Sequence, residues 1–548
     1  MKTVKRHLIS AIGTLLFGAV SYYFTLPALN IHSSGLLSFV ISLCVAYGVI
    51  YLVLGMKKSV ATVLEVKLDK QSLLSIPKTI KVLLGVIVVC IAIGLIGNIA
   101  GARIFNAARY RNLLTVEDGN FTEDVSAIRY DQIPRLDLES AQKLGDRKMG
   151  ELSDMVSQFS VMDNYTQINY QGRPVRVTPL QYVDVFKWLS NVNEGIPGYL
   201  MIDMVTQDVE LVRLEEGMKY STAEHFGRYL ERHLRFQYPT KIFAEQNFEV
   251  DEQGVPYWIC PTYTYKIGLY AGRDIEGAVL VNAINGESTY YAVDEIPSWV
   301  DRVFNAELII EQYDFYGTLI NGFWNSMFAQ KDCRVTTDGY NYMALGDDVY
   351  MYTGVTSVAA DQSNIGFILS NQRTKETKFY TAAGAEEYSA MNSAQGQVQE
   401  MRYVATFPLL LNINNEPTYF MALKDASALV KMYAMVNVQQ YQIVVAADSL
   451  EECERRYIEK MNSAGITEQP EKEPVAEKTV SGTIASIRSA VVDGNTCFYY
   501  QLQGVNGTFS LSIARDERAV TLNVGDQVTF TYDEKEDLAI IPIRKLEF

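Results

Sequence analysis

Three long apolar runs lie near the start of the chain, and the rest has the mixed polar pattern of a water-soluble protein. The runs are Leu8–Leu29, Leu36–Leu54 and Val82–Ile99, and none of them contains a charged side chain. Each run is close to the ~20 residues that a helix needs to cross a hydrocarbon core of ~30 Å. Because backbone groups in lipid must be satisfied within the segment, the pattern predicts a membrane anchor of three transmembrane helices over residues 1–104.

Lysine and arginine are unequally distributed around these runs. Nine of them precede the first run or lie in the second loop, whereas three follow the third run. The nine are Lys2, Lys5, Arg6, Lys57, Lys58, Lys67, Lys70, Lys78 and Lys81, and the three are Arg103, Arg109 and Arg111. The positive-inside rule therefore predicts a cytoplasmic N-terminus and an extracytoplasmic tail. The first run is long for a signal peptide and has no clear cleavage site, so we expect it to be retained.

The tail shows one pattern four times over residues 198–463: a strand, a turn, a longer strand rich in valine and tyrosine, and an amphipathic helix. The four helices are expected to begin near Ser221, Ile296, Ala383 and Ser449. In the first unit, Ser221 and Glu224 have the spacing of a capping box. The pattern predicts an α+β tail of antiparallel ββα units, whose helices cover one face of each sheet.

The second unit carries the pattern Gly277-x-Val279-Leu280-Val281-x4-Gly286-Glu287-x3-Tyr291. Asn285-Gly286 between two apolar strand halves favours a tight hairpin, because glycine supplies the positive φ that such turns need. This pattern resembles the hairpin of the PepSY-type domain. The whole layout resembles a family of uncharacterised bacterial membrane proteins with three spans and a repeat tail. The resemblance implies PepSY-like repeats and carries no activity with it.

The segments around the repeats have their own patterns. Residues 105–197 are expected to form a stalk and a mainly helical lead-in, with Asp137 capping a helix over Leu136–Ser160. Residues 464–478 are rich in proline and charge, which predicts an extended linker. Residues 479–548 contain five short strands, which predict a small β-barrel of OB or SH3-like type. From Lys478 onward this module has seven basic and nine acidic residues, so no basic groove for nucleic acid is expected.

Charge and cysteine content narrow the class of protein. The chain has 48 Lys and Arg against 64 Asp and Glu, and nine of the positive residues lie on the predicted cytoplasmic side of the anchor. The tail is therefore still more acidic than the whole chain and is expected to repel nucleic acid and anionic lipid. The six cysteines have long spacings and no CxxC motif, which is not a disulfide framework. For Cys260 and Cys333 two alternatives stay open, a bridge or separately buried thiols, and the size of the chain favours the second.

The search for catalytic and metal sites is mostly negative. His225 and His233 are eight residues apart, about 80° around a helix, so they cannot chelate one ion by themselves. Ser140 and Lys143 match a Ser-x-x-Lys spacing without its partner motifs. Asp118–Asp124 resembles the start of a calcium loop, but Glu123 stands where that loop needs glycine. We therefore expect no catalytic residue, no cofactor and no metal.

Aromatic residues are the remaining positive signal. The chain has 35 tyrosines, which serve either as ordinary strand formers or as a binding surface. The candidate ligand-binding residues are Trp258, Tyr263, Tyr265, Tyr350 and Tyr352. Exposed strand edges would also suit an extended polypeptide that adds as a further strand.

Three functions are compatible with these observations. The favoured one is a non-catalytic, multi-pass protein of the bacterial cell membrane, whose extracytoplasmic tail binds an envelope protein or another copy of itself. The first alternative is a subunit of an oligomeric channel or transporter, although no charge within the spans marks a pathway. An envelope hydrolase is the third.

Overall fold

The computed structural model describes residues 3–55, 77–125, 133–358, 363–466, 477–492, 495–513, 515–533 and 540–547. The chain forms two compact units, Met1–Lys460 and Met461–Phe548. Most of the lysine-rich second loop and the middle of the predicted linker lie outside the described residues. The cytoplasmic placement of this loop and the extended conformation of the linker therefore remain predictions.

Three apolar helices form the anchor, as the hydrophobic pattern predicts. They are α1 Thr3–Thr25, α2 Ser34–Val53 and α3 Lys78–Ala100, and each is long and apolar enough to cross a membrane. Helix α2 packs against both α1 and α3. Next come α4 Arg103–Arg111, strand β1 Val116–Asp118, the short α5 Phe121–Asp124 and α6 Leu138–Glu151. Asp137 caps α6, because its carboxylate accepts the backbone N–H of Ser140 at 2.9 Å.

Four antiparallel sheets follow one another in the first unit. The strands of the first are β2 Phe159–Val161, β3 Thr166–Tyr170, β4 Arg173–Tyr182, β5 Ile196–Asp203 and β6 Val209–Met218. Those of the second are β7 Ile242–Phe243, β8 Asn247–Val250, β9 Pro256–Ile267, β10 Ala271–Asn282 and β11 Ser288–Ala292. Those of the third are β12 Arg334–Thr336, β13 Asn341–Leu345, β14 Asp348–Ser357, β15 Ser363–Asn371 and β16 Thr377–Ala385. Those of the fourth are β17 Val404–Ala405, β18 Leu409–Ile413, β19 Glu416–Lys424, β20 Val430–Asn437 and β21 Val444–Ala447.

Each sheet has the same strand order. Two short strands pair with one edge of a longer strand, and two further strands follow on its other side, as in β2 and β3 against β4, then β5 and β6. The sequence pattern predicted two strands in each unit. It missed the short strands, which are too brief to show alternation. Residues 159–182, assigned from sequence to a mainly helical lead-in, form three strands of the first sheet.

Helices lie within or after the sheets. They are α7 Val185–Asn191, α8 Leu230–Gln237, α9 Ala306–Thr318, α10 Glu387–Gln397 and α11 Leu450–Ser463. The predicted start at Ser449 agrees with α11, where the Ser449 hydroxyl accepts the N–H of Glu452. The start at Ser221 is wrong, because α8 begins nine residues later and Glu224 is used elsewhere. The helix from Ile296 is also wrong, since α9 begins at Ala306.

The outer edge of the third sheet is covered by the stalk. Strand β1 pairs in parallel with β16, with Val116 opposite Thr377 and Asp118 opposite Phe379. The stalk segment thus adds a sixth strand to this sheet. An extended piece of polypeptide therefore already occupies one sheet edge in this protein.

The second unit contains a closed five-stranded barrel. Its strands are β22 Glu477–Val492, β23 Asn495–Leu502, β24 Thr508–Ser512, β25 Gln527–Asp533 and β26 Ile540–Glu547. The order around the barrel is β22-β23-β24-β26-β25, and β24 and β26 are parallel. The long β22 pairs with both β23 and β25, which closes the barrel. The interior is filled by Tyr500, Phe509 and Phe530 among other apolar side chains.

Candidate binding sites

A cavity of about 830 Å³ lies where the four sheets meet. Half of its lining comes from the connections between the paired short strands of each sheet and from the residues next to them. These residues are Asp163–Thr166, Ala244, Glu245, Asn247, Tyr340–Tyr342 and Phe407. Because the strand order recurs in every sheet, the same kind of connection faces the same space four times. The cavity is therefore a product of the repeat.

Two arginines line this cavity. The side chain of Arg176 on β4 is buried, and its Nη2 donates to Gln167 Oε1 at 3.3 Å. Burial, and next the charge of Arg302, lower the pKa of Arg176 to about 10. The Arg302 guanidinium lies 3.8 Å from the ring centroid of Tyr342 and donates to its hydroxyl at 2.6 Å. The Nε of each arginine is buried and has no partner within the described chain.

Two carboxylates on the cavity wall, Asp137 and Glu139, are paired with a lysine and not with these arginines. Lys424 Nζ donates to Asp137 Oδ2 at 2.5 Å and to Glu139 Oε2 at 2.8 Å. Burial opposes ionisation of Asp137, but the hydrogen bonds from Lys424 and Ser140 outweigh it and lower its pKa. The cavity thus has fixed groups of both signs, and nothing in its polar lining singles out one ligand class.

A pair of buried carboxyls lies next to the cavity wall. Glu249 accepts the backbone N–H of Asp301 at 2.8 Å and that of Arg302 at 2.9 Å. Asp301 accepts the N–H of Asn169 at 2.6 Å. Burial raises the pKa of Glu249 to about 7, and burial together with Glu249 raises the pKa of Asp301 well above its ordinary value. Neither carboxyl lines the cavity, so the pair positions Arg302 and joins β3 to β8.

The last strand of the first sheet, β6, is a second candidate. Within the described chain it pairs only with β5, so its other edge carries unpaired backbone groups. A groove of about 600 Å³ lies over one face of the sheet at β6 and β5 and extends to the turn between β3 and β4. The groove is lined by Tyr170, Arg173, Tyr199, Met201, Glu210, Val212, Arg213, Leu214, Glu215, Gln253, Gly254, Val255 and Ile284. An open strand edge beside a groove can hold an extended polypeptide.

The five aromatic candidates do not come together. Trp258 is 1% exposed and donates its indole N–H to the carbonyl of Tyr220, and Tyr352 is buried and donates to Glu387 Oε1 at 2.7 Å. Their burial conflicts with the prediction that they face a ligand, because both fill cores behind the sheets. Tyr263 and Tyr350 are half-buried, and Tyr265 stacks on the ring of His32.

The histidines and Ser140 have structural partners. The ring of His225 packs edge-on against Trp188, and His233 Nε2 lies 2.8 Å from the carbonyl oxygen of Gly286. Burial lowers the pKa of His233. The Ser140 hydroxyl donates to the carbonyl of Ala428 at 2.9 Å. Cys260 and Cys333 are separate thiols, and no three His, Cys, Asp or Glu among the described residues are arranged to hold a metal.

Sequence reasoning missed the two arginines, and it expected exposed strand edges without identifying β6 as the open one. Arg176 and Arg302 stand 126 positions apart, and only the packing of two sheets brings them to one cavity. The edge had a weak signal, since Glu210, Arg213 and Glu215 place charge along a strand that would otherwise favour pairing.

No protein-family model matches the chain, and no curated protein or solved structure matches it either. Any functional conclusion therefore rests on the geometry of these sites.

Proposed function

We propose that this chain is a non-catalytic, membrane-anchored binding protein of the bacterial cell envelope, and that its extracytoplasmic tail binds an extended polypeptide along β6. The observation that carries this proposal is the pairing of β1 with β16. It is an example, within this protein, of an extended segment added to the outer edge of a repeat sheet. Strand β6 holds the corresponding place in the first sheet and, within the described chain, has no partner on that side.

The backbone of β6 supports strand addition. In an antiparallel ladder, residues alternate between those bonded to the partner strand and those whose N–H and C=O point away from it. Asp203 donates its N–H to the carbonyl of Asp208 at the turn before β6. Alternation from this bonded pair directs the backbone groups of Leu211 and Arg213 outward. A polypeptide that lies beside β6 can bond to these groups without any rearrangement of the sheet.

The side chains of β6 favour binding of a specific partner strand over non-specific pairing of sheet edges between molecules. Glu210, Glu215 and Glu216 place charge along the edge, and Arg213 pairs with Asp154 at 2.8 Å. Charged edges discourage aggregation by sheet extension. A partner must therefore offer complementary charge as well as a free backbone, and a second copy of this strand meets that need through Arg213 against a glutamate.

Charge distribution and fold support the rest of the proposal. The excess of lysine and arginine before the first span and in the second loop supports the extracytoplasmic tail. The barrel order, with β24 and β26 parallel and a 3-10 turn at Glu517–Thr521 between its third and fourth strands, supports an OB-type assignment. PepSY-like ancestry of the repeats rests on the hairpin pattern alone. The acidic balance of the barrel favours a protein or glycan ligand over nucleic acid.

Site-specific photo-crosslinking in living cells tests the proposal. A photoreactive residue in place of Glu215 should crosslink to a polypeptide, and the same residue in place of the exposed Glu400 should not. Arg213→Pro removes an outward N–H, which an edge strand tolerates, and should abolish the crosslink. Arg213→Ala keeps the N–H and should retain it. Equal crosslinks from both positions, or a crosslink that survives Arg213→Pro, would contradict strand addition.

A further inference from the structure

The first unit contacts the ends of its own spans closely. Leu29 donates its N–H to the carbonyl of Pro239 at 2.7 Å, and the His32 ring bonds to the carbonyl of Leu269 at 2.8 Å. Leu29 and His32 lie in the turn between the first two spans, on the same side as the end of α3. One rim of the tail therefore lies at the level where the spans leave the apolar part of the membrane.

The first exposed apolar surface, the α7 patch, joins this rim beside α1. It consists of Val185, Phe186, Leu189 and Phe226, and Phe186 is 72% exposed. The Arg232 side chain connects the patch to the span, because its Nη1 donates to the carbonyl of Phe226 at 2.7 Å and its Nε to that of Tyr23 at 3.1 Å. The patch is thus one side chain away from the end of α1.

The second exposed apolar surface, the π-turn patch, belongs to the segment after α9, the helix that packs against α4 near the end of α3. It consists of Trp324, Met327 and Phe328 in and next to a π-helical turn, Asn325–Ala329. Trp324 and Phe328 are 63% and 77% exposed, and their rings stack on each other. The turn closely follows α9, whose Phe315 packs against Tyr110 of α4. Helix α4 begins three residues after α3 ends, and its Phe105 is also largely exposed.

The two patches are connected to different outer helices of the anchor. Helix α2 packs between α1 and α3, so the ends of α1 and α3 mark the two sides of the helix row. The α7 patch adjoins the end of α1, and the π-turn patch is connected to the end of α3 through α9 and α4.

We propose that both patches insert into the interfacial layer of the leaflet from which the tail emerges, so that the tail lies against the membrane. Tryptophan and phenylalanine suit this layer, because it covers their apolar area while polar groups stay hydrated. Arg228, Arg232 and Lys187 flank the α7 patch, where they reach the headgroup region. The occupant is the protein's own bilayer, because the elements that carry both patches pack at the ends of the spans.

Tryptophan fluorescence offers a direct test that needs no polypeptide ligand. The chain has four tryptophans; Trp188 and Trp258 are buried, Trp299 is half-buried, and Trp324 is mostly exposed. The full chain in nanodiscs of phosphatidylcholine is compared with its Trp324→Phe variant, and the difference gives the emission of Trp324. Lipids brominated near the glycerol end of the acyl chain should quench most of that emission. Phe186→Trp, in the Trp324→Phe background, tests the α7 patch in the same way.

Three outcomes would overturn the proposal. The first is quenching of Trp324 by aqueous iodide and not by brominated lipid, which would place the patch in water. The second is that neither iodide nor brominated lipid quenches Trp324 and that the Met327→Cys variant crosslinks to itself. This result would assign the patch to a second copy of the chain. The third is lipid quenching at Trp324 and its absence at Phe186→Trp, which would leave only one contact and not a tail held on both sides.

Discussion

Asp301→Asn is expected to make the protein more stable at pH 8 and to have a clearly smaller effect at pH 5. The new amide oxygen can still accept the N–H of Asn169, and the amide nitrogen takes the place of the buried Oδ1 that has no partner within the described chain. The substitution removes one of two adjacent buried acids, whose other neighbours include Arg302 and Asp348. At high pH the substitution therefore avoids the burial of a second negative charge beside Glu249.

The sign of the pH dependence follows from the direction of the pKa shifts. The pKa values of Glu249 and Asp301 are both raised in the folded state. At any pH between the ordinary and the raised value, the folded protein therefore holds more protons than the unfolded chain. Stability is therefore fully present at low pH and is lost as pH rises from about 4 to beyond 7. A rise in the pKa of Glu249 from 4.5 to about 7 corresponds to a loss of about 3 kcal/mol. The substitution leaves the burial of Glu249 unchanged and removes the buried charge of Asp301, so we expect it to raise the free energy of unfolding at pH 8 by an amount on the order of 3 kcal/mol, the cost of burying one ion.

Urea unfolding of the detergent-solubilised chain, followed by tryptophan fluorescence at pH 5 and pH 8, measures this effect. The exposed Asp347→Asn variant removes the same charge from the surface and is the matched control, with little change expected at either pH. The reasoning is refuted if the wild-type protein does not lose stability between the two pH values. It is also refuted if Asp301→Asn destabilises the protein equally at both, because the carboxyl would then be a structural acceptor only.

Three further predictions concern other parts of the molecule. Lys424→Met should lower the free energy of unfolding by about 3 kcal/mol, because it leaves Asp137 and Glu139 without their shared cation. The control is Lys431→Met, which removes a more exposed ion pair, and equally small effects of the two substitutions would contradict the argument. Cys260 and Cys453 should resist maleimide until urea unfolds the tail, because burial raises the pKa of both thiols, and rapid labelling of the native protein would contradict their placement. Protease added to spheroplasts should digest the tail and spare the loop over residues 56–76, and a protected tail would contradict the predicted topology.

The parts of the fold that could be predicted depend on local patterns. The three spans are visible because an apolar helix in lipid needs a long uncharged run. The second-unit hairpin is also local: Gly286 has a φ of +78°, and Asn282 accepts the backbone N–H groups of Ile284 and Asn285. The turn therefore lies where Asn285-Gly286 predicted it, but residues 283–287 form a longer loop than the expected tight hairpin.

The parts that could not be predicted depend on contacts between distant residues. The Ser221–Glu224 capping box failed because Glu224 accepts the Tyr182 hydroxyl and the Trp188 indole N–H, both at 2.8 Å. Those partners lie on β4 and α7, and no local pattern reveals that they compete for the carboxylate. The cavity is a further example, since its lining extends from Asp137 to Phe407 and exists only after the sheets pack.

Hydrogen exchange at β6 tests the central claim most directly. The partner identified by crosslinking is added to the purified full chain in nanodiscs, and amide exchange is compared with that of the free protein. We expect the amides of Leu211 and Arg213 to become protected, while those of Glu210 and Val212, already bonded to β5, change little. Protection elsewhere with unchanged exchange at Leu211 and Arg213 would show that the partner binds without adding a strand.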